Sequence, residues 1–504
     1  MDMNPVTEIL VLSIIAAAVI LASHKILKLY SDWNRLPPGP FPWPVVGNIL
    51  WFRQNNFPHE VMNEIAAKYG PVFSLFLGHN PHVVVADPEI GLQVLKKYTF
   101  AGRPRTFLQD NLFFKGDSTD IVFSDYGTEW EALRKVGHSA TRKYAVSPQL
   151  APTVIDVVDR AIERVMGESF DCGSLVNLIM PNILAMAAFG ERYDFDDPEF
   201  LQWTEALDVS NRRNGVMILV MFMPFMRHIF YNQWKDLTSS IRFQWDYVEK
   251  MYQKRLESYS QGKTDTFCDA VITAKIEAEA EENWMLPYLK PRNVMNTITD
   301  LFGAGVDTTK MSLKWVFLLM AKYPDLQEQM RREVIEAVSG GEPQLDHKSN
   351  CSLVCAFVSE TLRFRHINPT GVPHKAVVDS DLCGYKIPKG TTVIILLNNA
   401  LKDEKVWGDP EVFRPDRFLD TDGTFVSKPN HLYIPFSDGR RSCFGNKLAF
   451  NTLFLIVARL LMKTRNIEVV GGVTETHMRG DLSKISGFRP TPFHGRLTLS
   501  QSDS

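Results

Sequence analysis

The chain has 504 residues, a length that accommodates one large domain or several smaller ones. Apolar types make up 45% of the residues and charged types 22%, a composition that excludes a disordered or fibrous protein. Because 55 Lys and Arg stand against 58 Asp and Glu, the formal net charge is −3, and no overall positive field predicts a nucleic-acid partner.

The first predicted element is an apolar N-terminal segment, Ile9 to Ala22. Alone it is short for a membrane span of about 20 residues, but extending it to Leu29 adds basic side chains that can reach the interface. No Lys or Arg precedes the segment, unlike in a secretory signal peptide. Positive charge follows it instead, which favours a body on the cytosolic side. We therefore predict an uncleaved anchor over residues 1–30, with a signal peptide or a buried core helix as the alternatives.

A proline-rich stretch, LPPGPFPWPVVGN, comes next. Proline fixes φ and removes a backbone donor, so residues 31–46 are predicted to form a stiff connector, although an ordinary proline-rich linker has the same composition. Residues 47–504 contain no internal repeat and no low-complexity break, which predicts a single large domain.

Within that domain, strand-like runs occur near 71–78, 82–87 and 391–398, and mostly helical patterning lies between them. The prediction is a mainly α fold with a small β subdomain. A second apolar patch, Val216–Met226, is too short to span a membrane and is broken by Pro224. It is either core or a segment that dips into the bilayer surface.

Cys443 differs from the other five cysteines, which are scattered and too few for a disulfide framework. It lies in FSDGRRSCFG, just before a helical pattern, where backbone N–H groups and the helix dipole favour a thiolate. Thiolate is one of the axial ligands of haem iron, and the adjoining Arg441 could meet a propionate. A lone Cys is usually a small buried hydrophobe. The spacing Phe-x-x-Gly-x-Arg-x-Cys-x-Gly, from Phe436 to Gly445, favours the haem ligand.

With this motif the chain resembles the cytochrome P-450 superfamily, the haem-thiolate monooxygenases, over nearly its whole length. Three further motifs stand in the order typical of that family: AGVDTT at 304–309, ETLR at 360–363 and PDRF at 415–418. The anchor and connector resemble the microsomal, eukaryotic branch. The segments FLDTDGTF, IPFSDGRRSC and GVPHKAV resemble its animal steroid- and drug-hydroxylating group.

The resemblance implies roles for particular residues. Asp307 and Thr308 would form an acid–alcohol pair that handles protons, although a helical Thr can instead bond back to the carbonyl four residues earlier. Glu360 and Arg363 share one helix face and would form a buried triad with Arg417, whereas by themselves they could be a surface pair. The implied contacts to the cofactor are those of Arg103, Trp130, Arg134, His374, Phe436, Arg441, Cys443 and Gly445.

The implied cofactor is haem b, iron protoporphyrin IX, with the Cys443 thiolate as its axial ligand and dioxygen as the oxidant. No flavin-binding or iron–sulfur segment is visible, so the resemblance implies electrons from NADPH through an external flavoprotein, NADPH-cytochrome P-450 reductase, with cytochrome b5 as a second candidate partner. The implied location is the endoplasmic reticulum membrane, with the catalytic domain facing the cytosol. Four basic residues near these motifs could attract an acidic partner or be ordinary solvated residues, namely Lys135, Arg142, Lys143 and Lys447.

The regions that would surround the substrate are rich in Phe, Leu, Ile, Val and Met, which predicts a lipophilic substrate, steroid-like or xenobiotic, with a fatty acid or terpenoid still open.

Three functions are compatible with these residues. The first is a monooxygenase that inserts one atom of dioxygen into its substrate. The second is a haem-thiolate isomerase or dehydratase acting on peroxides, which commonly lacks the acid–alcohol pair. The third is a non-catalytic haem- or lipid-binding protein. The Asp307–Thr308 pair favours the first.

Overall fold

The computed structural model describes residues 5–52, 56–113, 119–166, 168–260, 265–482 and 487–499. Within these ranges the α-helices are α1 Pro5–Arg35, α2 Pro58–Tyr69, α3 Pro88–Lys96, α4 Thr128–Tyr144, α5 Leu150–Val165, α6 Cys172–Phe189, α7 Pro198–Arg212, α8 Asn214–Phe222, α9 Met226–Ile229, α10 Tyr231–Ser258, α11 Phe267–Ala280, α12 Pro291–Lys322, α13 Pro324–Val338, α14 Ser352–Phe364, α15 Leu397–Leu401, α16 Glu404–Trp407, α17 Asn446–Lys463 and α18 Glu475–Arg479.

The strands are β1 Val72–Leu77, β2 Asn80–Val85, β3 Phe170–Asp171, β4 His374–Lys375, β5 Ser380–Leu382, β6 Tyr385–Ile387, β7 Thr392–Ile395, β8 Thr464–Val469 and β9 His494–Leu499. They form sheets of four, three and two strands in the orders β1-β2-β7-β4, β3-β9-β8 and β5-β6. Strand β2 pairs antiparallel with β1 and parallel with β7, so the early and late strand-like runs meet in one sheet. The prediction of a mainly α fold with a small β part is confirmed.

The long helix α12 crosses the interior of the protein. It begins at Pro291, where the fixed φ of proline suits a first helical turn, and it ends just before Pro324. Its buried apolar side chains pack mainly against α6, and the Phe302 ring stacks on Trp203 of α7 with ring centroids 4.5 Å apart. Helix α17 packs against α5, α13 and α14. These contacts hold the middle of α12 and the start of α17 in fixed positions.

Two of the described helices are long and apolar enough to cross a membrane. One is α6, which is mostly buried and belongs to the core. The other is α1, whose apolar side chains are exposed over much of its length. Helix α1 continues past residue 30 to Arg35, and Leu29 and Leu36 are buried against the four-stranded sheet. The helix therefore runs from an exposed apolar segment into contact with the rest of the chain.

The proline-rich stretch after α1 is hydrogen-bonded to strand β1. The Ser74 amide donates to the Pro38 carbonyl over 3.0 Å. The Asn48 side chain donates to the carbonyl of Phe41 over 3.0 Å and accepts from the Phe76 amide over 2.8 Å. Proline carbonyls keep their acceptor capacity although the ring removes the donor, so this stretch can be fastened along a strand.

The apolar patch at 216–226 forms α8 and the turn before α9. Val220 is buried, whereas most of its neighbours in α8 are half-buried. The Phe222 ring lies 5.4 Å from the His82 ring of β2. Phe225 is half exposed and Ile229 is more so, which leaves apolar surface on the outside of this segment.

The three residues of the expected ion triad are buried together where α14 meets the segment around Arg417. Arg363 donates from Nε and Nη2 to the two carboxylate oxygens of Glu360, over 2.6 and 2.8 Å. The Nε of Arg417 lies 3.5 Å from Glu360 Oε1. The side chains of Glu360 and Arg363 are fully buried. The triad is confirmed, and the alternative of a surface pair is wrong.

Candidate functional site

A cavity of about 280 Å³ lies between the middle of α12 and the loop that precedes α17. Eight of the ten residues predicted to handle protons or to contact the cofactor line it, namely Arg103, Arg134, Thr308, His374, Phe436, Arg441, Cys443 and Gly445. Trp130 and Asp307 do not. The rest of the wall is mainly apolar, with Leu184, Leu301, Val372, Ile395, Leu397 and Leu448 among its members.

The loop that carries Cys443 is shaped by a glycine that no other residue could replace. Gly439 has φ +72°, and a Cβ there would lie 2.0 Å from the carbonyl oxygen of Leu95. The Cys443 amide donates to the Phe436 carbonyl over 2.9 Å, which closes the loop. Because of these constraints Cys443 is presented to the cavity immediately before α17.

Cys443 is exposed to the cavity, yet protein groups surround its sulfur. Burial therefore raises the pKa of its thiol, while the backbone N–H of Gly445, the Arg134 guanidinium and the backbone N–H of Asn446 act in the opposite direction. A cation bound to the sulfur would reverse this balance, because a coordinated thiol loses its proton. The sulfur is accessible, desolvated and provided with donors, as a metal ligand requires.

Three arginines at one edge of the cavity carry positive charge that no described carboxylate neutralises in an ion pair. Arg103 and Arg441 donate to backbone carbonyls, and Arg134 donates to the carbonyl of Ser442. Burial, with the other arginines adding to it, lowers the pKa of Arg103 to about 9 and that of Arg441 to about 8. A ligand with two carboxylates would restore the charge balance here, and the propionates of haem fit that requirement.

His374 and Trp130 flank the arginines in different ways. His374 Nδ1 lies 2.8 Å from the Phe100 carbonyl, and burial, followed by the Arg103 charge, lowers the pKa of this imidazole to about 3. The ring is thus neutral and donates from Nδ1. Trp130 lies behind the lining, where its Nε1 donates to the Ile121 carbonyl over 2.9 Å and its ring centroid is 3.9 Å from Arg441 Cζ. Trp130 therefore supports Arg441 and does not face the cavity.

The two residues of the expected proton relay point in different directions from α12. Thr308 lines the cavity, and its hydroxyl donates to the Ala304 carbonyl over 2.7 Å, the bond four residues back that is common for helical threonines. Asp307 accepts from Arg489 over 3.0 Å and from the Asn211 amide over 2.8 Å. The helix continues without a break through Ala304. In this structure the hydroxyl is at the cavity and the carboxylate is held outside it.

Asp300 is a cavity residue that the sequence analysis did not single out. It precedes Ala304 by one turn and Thr308 by two, and this spacing alone places the three on one helix face. Its carboxyl accepts the amides of Ile121 and Val122, over 2.7 and 3.1 Å. Burial, followed by the nearby carboxylate of Asp120, raises its pKa well above the ordinary value. No sequence pattern predicts that Asn211 and Arg489 contact Asp307, because both residues are distant from α12 in the sequence.

An accessible cysteine sulfur, three arginines at one edge that no described carboxylate pairs with, and the small residues of α12 across the cavity define a site of the haem-thiolate class. The chain belongs to the cytochrome P450 family. The family model described as "Cytochrome P450" matches residues 37–469.

Curated relatives agree with this membership. The chain is 30% identical to "Steroid 17-alpha-hydroxylase/17,20 lyase" of Sus scrofa, with 83% of this chain and 84% of that protein covered. It is 31% identical to "Cytochrome P450 2D3" of Rattus norvegicus, with 85% and 87% covered. For "Cytochrome P450 1A1" of Oncorhynchus mykiss the identity is 30%, with 92% of each chain covered.

The protein is therefore an oxidoreductase, a haem-thiolate monooxygenase that inserts one atom of dioxygen into a lipophilic substrate. Its cofactor is haem with a cysteine thiolate ligand, and electrons reach it from NADPH through a reductase. Of the three functions left open by the sequence, the family and its relatives support the first.

Proposed function

We propose that Cys443 is the cysteine that ligates the haem iron, and that Arg103, Arg134, His374 and Arg441 hold the propionates. This assignment rests on one observation: an accessible cysteine sulfur and three guanidinium groups without an ion-pair partner among the described carboxylates line the same cavity. When bound, the haem supplies the activation of dioxygen. Trp130 positions Arg441 from behind.

Phe436 and Gly445 bracket the sulfur in the proposed ligand loop. The Phe436 carbonyl accepts the Cys443 amide and thereby orients the side chain. A Cβ at Gly445 would lie 3.8 Å from Sγ, so the absence of a side chain there keeps one side of the sulfur uncovered. Their roles are therefore to position and expose the ligand.

For proton delivery we propose that Thr308 holds a proton at its Oγ1 inside the cavity and that Asp307 exchanges protons with solvent. Thr308 already faces the cavity and could donate there by releasing the Ala304 carbonyl. The Asp307 side chain is partly exposed and sits in an ion pair with Arg489. The carboxylate would have to leave Arg489 and Asn211 to approach the hydroxyl.

Replacing Thr308 with alanine should lower the yield of product per NADPH consumed several-fold and raise peroxide release, because the hydroxyl that holds the proton is gone. Thr308→Ser should restore coupling. Thr299→Ala is the matched control, since Thr299 lies on the same helix with the same type of back-bond, to Met295, but does not line the cavity. Coupling that is equal in Thr308→Ala and the wild type would contradict the assignment; product, NADPH and peroxide are all measured.

The redox partner is proposed to be the flavoprotein NADPH-cytochrome P-450 reductase, with cytochrome b5 as a second donor. Support comes from four exposed basic residues on α4 and at the start of α17, the elements next to the cysteine loop, namely Lys135, Arg142, Lys143 and Lys447. Such a patch would attract an acidic surface. A reduction rate that does not fall with rising salt would contradict this docking mode.

For location we propose that α1 crosses the endoplasmic reticulum membrane and that the body of the protein lies in the cytosol. The support is the exposed apolar face of α1 and the basic residues that follow its apolar part. The exposed side chains of Phe225 and Ile229 would then rest against the bilayer surface. Resistance of the body to protease added outside sealed microsomes would contradict this orientation.

We propose a steroid-like or xenobiotic substrate. The support is a mainly apolar cavity wall and relatives whose names include a steroid hydroxylase. Full-length protein with reductase, NADPH and isotopically labelled dioxygen should add one labelled oxygen atom to members of a panel of steroids and drugs, as measured by mass spectrometry. Product that forms from peroxides without NADPH and carries no label would favour the isomerase or dehydratase instead.

A further inference from the structure

A second cavity, of about 530 Å³, lies beside the one that contains Cys443. The two cavities have no lining residue in common, but one stretch of chain separates them: Phe364 and Arg365 line the second cavity, and residues 366–368 line the first. The remaining wall of the second cavity comes from α2, α15, α18 and nearby loops and includes His59, Glu60, Lys402, Glu411, Arg479 and Phe488.

Arg365 is a half-buried cation in this cavity, and no described carboxylate forms an ion pair with it. Its only hydrogen bond among the described residues is from Nη1 to the carbonyl of Phe364, the preceding residue, over 3.1 Å, and its Nε has no partner. Its Cζ lies 3.9 Å from the centroid of the Phe364 ring and 5.3 Å from that of Phe488. Burial lowers the pKa of Arg365 to about 10, while the charge of the Glu411 carboxylate acts in the opposite direction. Aromatic rings stabilise this cation but leave its Nε–H unsatisfied.

Lys402 places a second cation in the same cavity. Its Nζ lies 3.0 Å from Glu411 Oε2 and donates to the Pro410 carbonyl over 3.1 Å. Only 13% of the Lys402 side chain is exposed, whereas 74% of Glu411 is, so the carboxylate is well solvated and neutralises the lysine weakly. The imidazole of His59 adds a buried Nδ1 without a hydrogen-bond partner.

The other charged groups of the cavity are engaged elsewhere. Glu60 pairs with Arg479 over 2.9 Å and also accepts the Phe57 amide. Asp403 caps α16 by accepting the Val406 amide. These contacts leave two inner cations facing a space whose one competing carboxylate, Glu411, is mostly exposed to solvent.

We propose that the second cavity binds a small amphiphilic anion, a carboxylate or phosphate group on a short apolar body. The anionic group would accept from the outer nitrogens of the Arg365 guanidinium and from Lys402 Nζ. The apolar body would lie against Phe364 and Phe488. The same chemistry is offered by a soluble metabolite and by the headgroup region of an anionic lipid.

The test uses the full-length holoenzyme in nanodiscs of phosphatidylcholine, with inorganic phosphate as the probe and chloride to keep the ionic strength constant. Thermal unfolding is followed by tryptophan fluorescence. The unfolding temperature should rise and saturate with phosphate, since a ligand that binds the native state stabilises it by mass action. The apparent dissociation constant should increase at least ten-fold in Arg365→Gln.

Glu411→Gln is a more specific test than Arg365→Gln, because it leaves the ring contacts of Arg365 intact. It removes the carboxylate that competes with the bound anion for Lys402. Phosphate should bind several-fold more tightly to it than to the wild type. Lys386→Gln, a change at a lysine that is 88% exposed and outside the cavity, is the control and should bind phosphate unchanged. The absence of a saturable rise, or equal affinity in wild type, Glu411→Gln and Lys386→Gln, would overturn the proposal.

Nanodiscs that contain phosphatidylserine separate the two sources of the anion. Loss of the phosphate effect in them means that a lipid headgroup occupies the cavity, and its persistence means that a soluble anion does. Either outcome is interpreted only together with the weaker phosphate binding expected of Arg365→Gln. Neither bears on the haem assignment, since the variants leave Cys443, Arg103 and Arg441 unchanged.

Discussion

Replacing Cys443 with histidine should abolish the thiolate-type carbon monoxide difference spectrum of the reduced protein and its monooxygenase activity together. The imidazole can still bind iron, but it cannot supply the electron density that a thiolate pushes toward O–O cleavage. The sulfur faces the cavity, so the larger ring enters existing space and the fold should be retained. The spectrum of the membrane fraction and NADPH-dependent product formation are the measurements.

Cys383→Ser is the matched control for this experiment. Cys383 is also a free, exposed cysteine, but it does not line the cavity. Its variant should keep the thiolate-type spectrum and the activity, and both variants should stay in the membrane fraction because neither touches α1. A thiolate-type spectrum in Cys443→His would mean that another cysteine ligates the iron.

The sequence predicted the chemical part of the site better than its geometry. Cys443 and Arg441 stand out because their motif is short and local, and such a loop keeps its residues together in any fold. The position of Trp130 behind Arg441 depends on how α4 is rotated against the cysteine loop, which local spacing does not determine. Asp307 is drawn away by Arg489, a residue 182 positions later in the chain. Contacts at that separation are set by tertiary packing.

The fold shows the same division. Helix α12 could be predicted because its apolar spacing is long and regular and prolines stand at its start and just after its end. The pairing of β2 with β7 joins residues more than 300 positions apart, and no local pattern specifies that register. The connector was predicted from proline content alone, which says nothing about the carbonyls that bond it to β1.

Replacing Glu360 with glutamine should cost about 3–5 kcal/mol of the free energy of unfolding, the usual penalty for breaking a buried ion pair by removing one partner. Glu360 accepts from Arg363 with both oxygens and from the Arg414 amide over 2.9 Å. A glutamine would turn an NH2 group toward one of these donors. It would also leave the charges of Arg363 and Arg417 without their shared carboxylate.

The control for this prediction is Glu328→Gln, because Glu328 makes the same kind of pair, with Arg331 three residues later, but on a surface where 45% of its side chain is exposed. Its loss should cost under about 1 kcal/mol, since water solvates the Glu328 carboxylate and the buried Arg331 keeps its hydrogen bonds to the carbonyls of Leu461 and Thr464. Chemical denaturation followed by fluorescence, with the haem retained per protein, measures both variants. Native domains are stable by only ~5–15 kcal/mol, so Glu360→Gln should yield much less folded, haem-containing protein at 37 °C. Equal losses in the two variants would contradict the argument, because burial is what distinguishes the two glutamates.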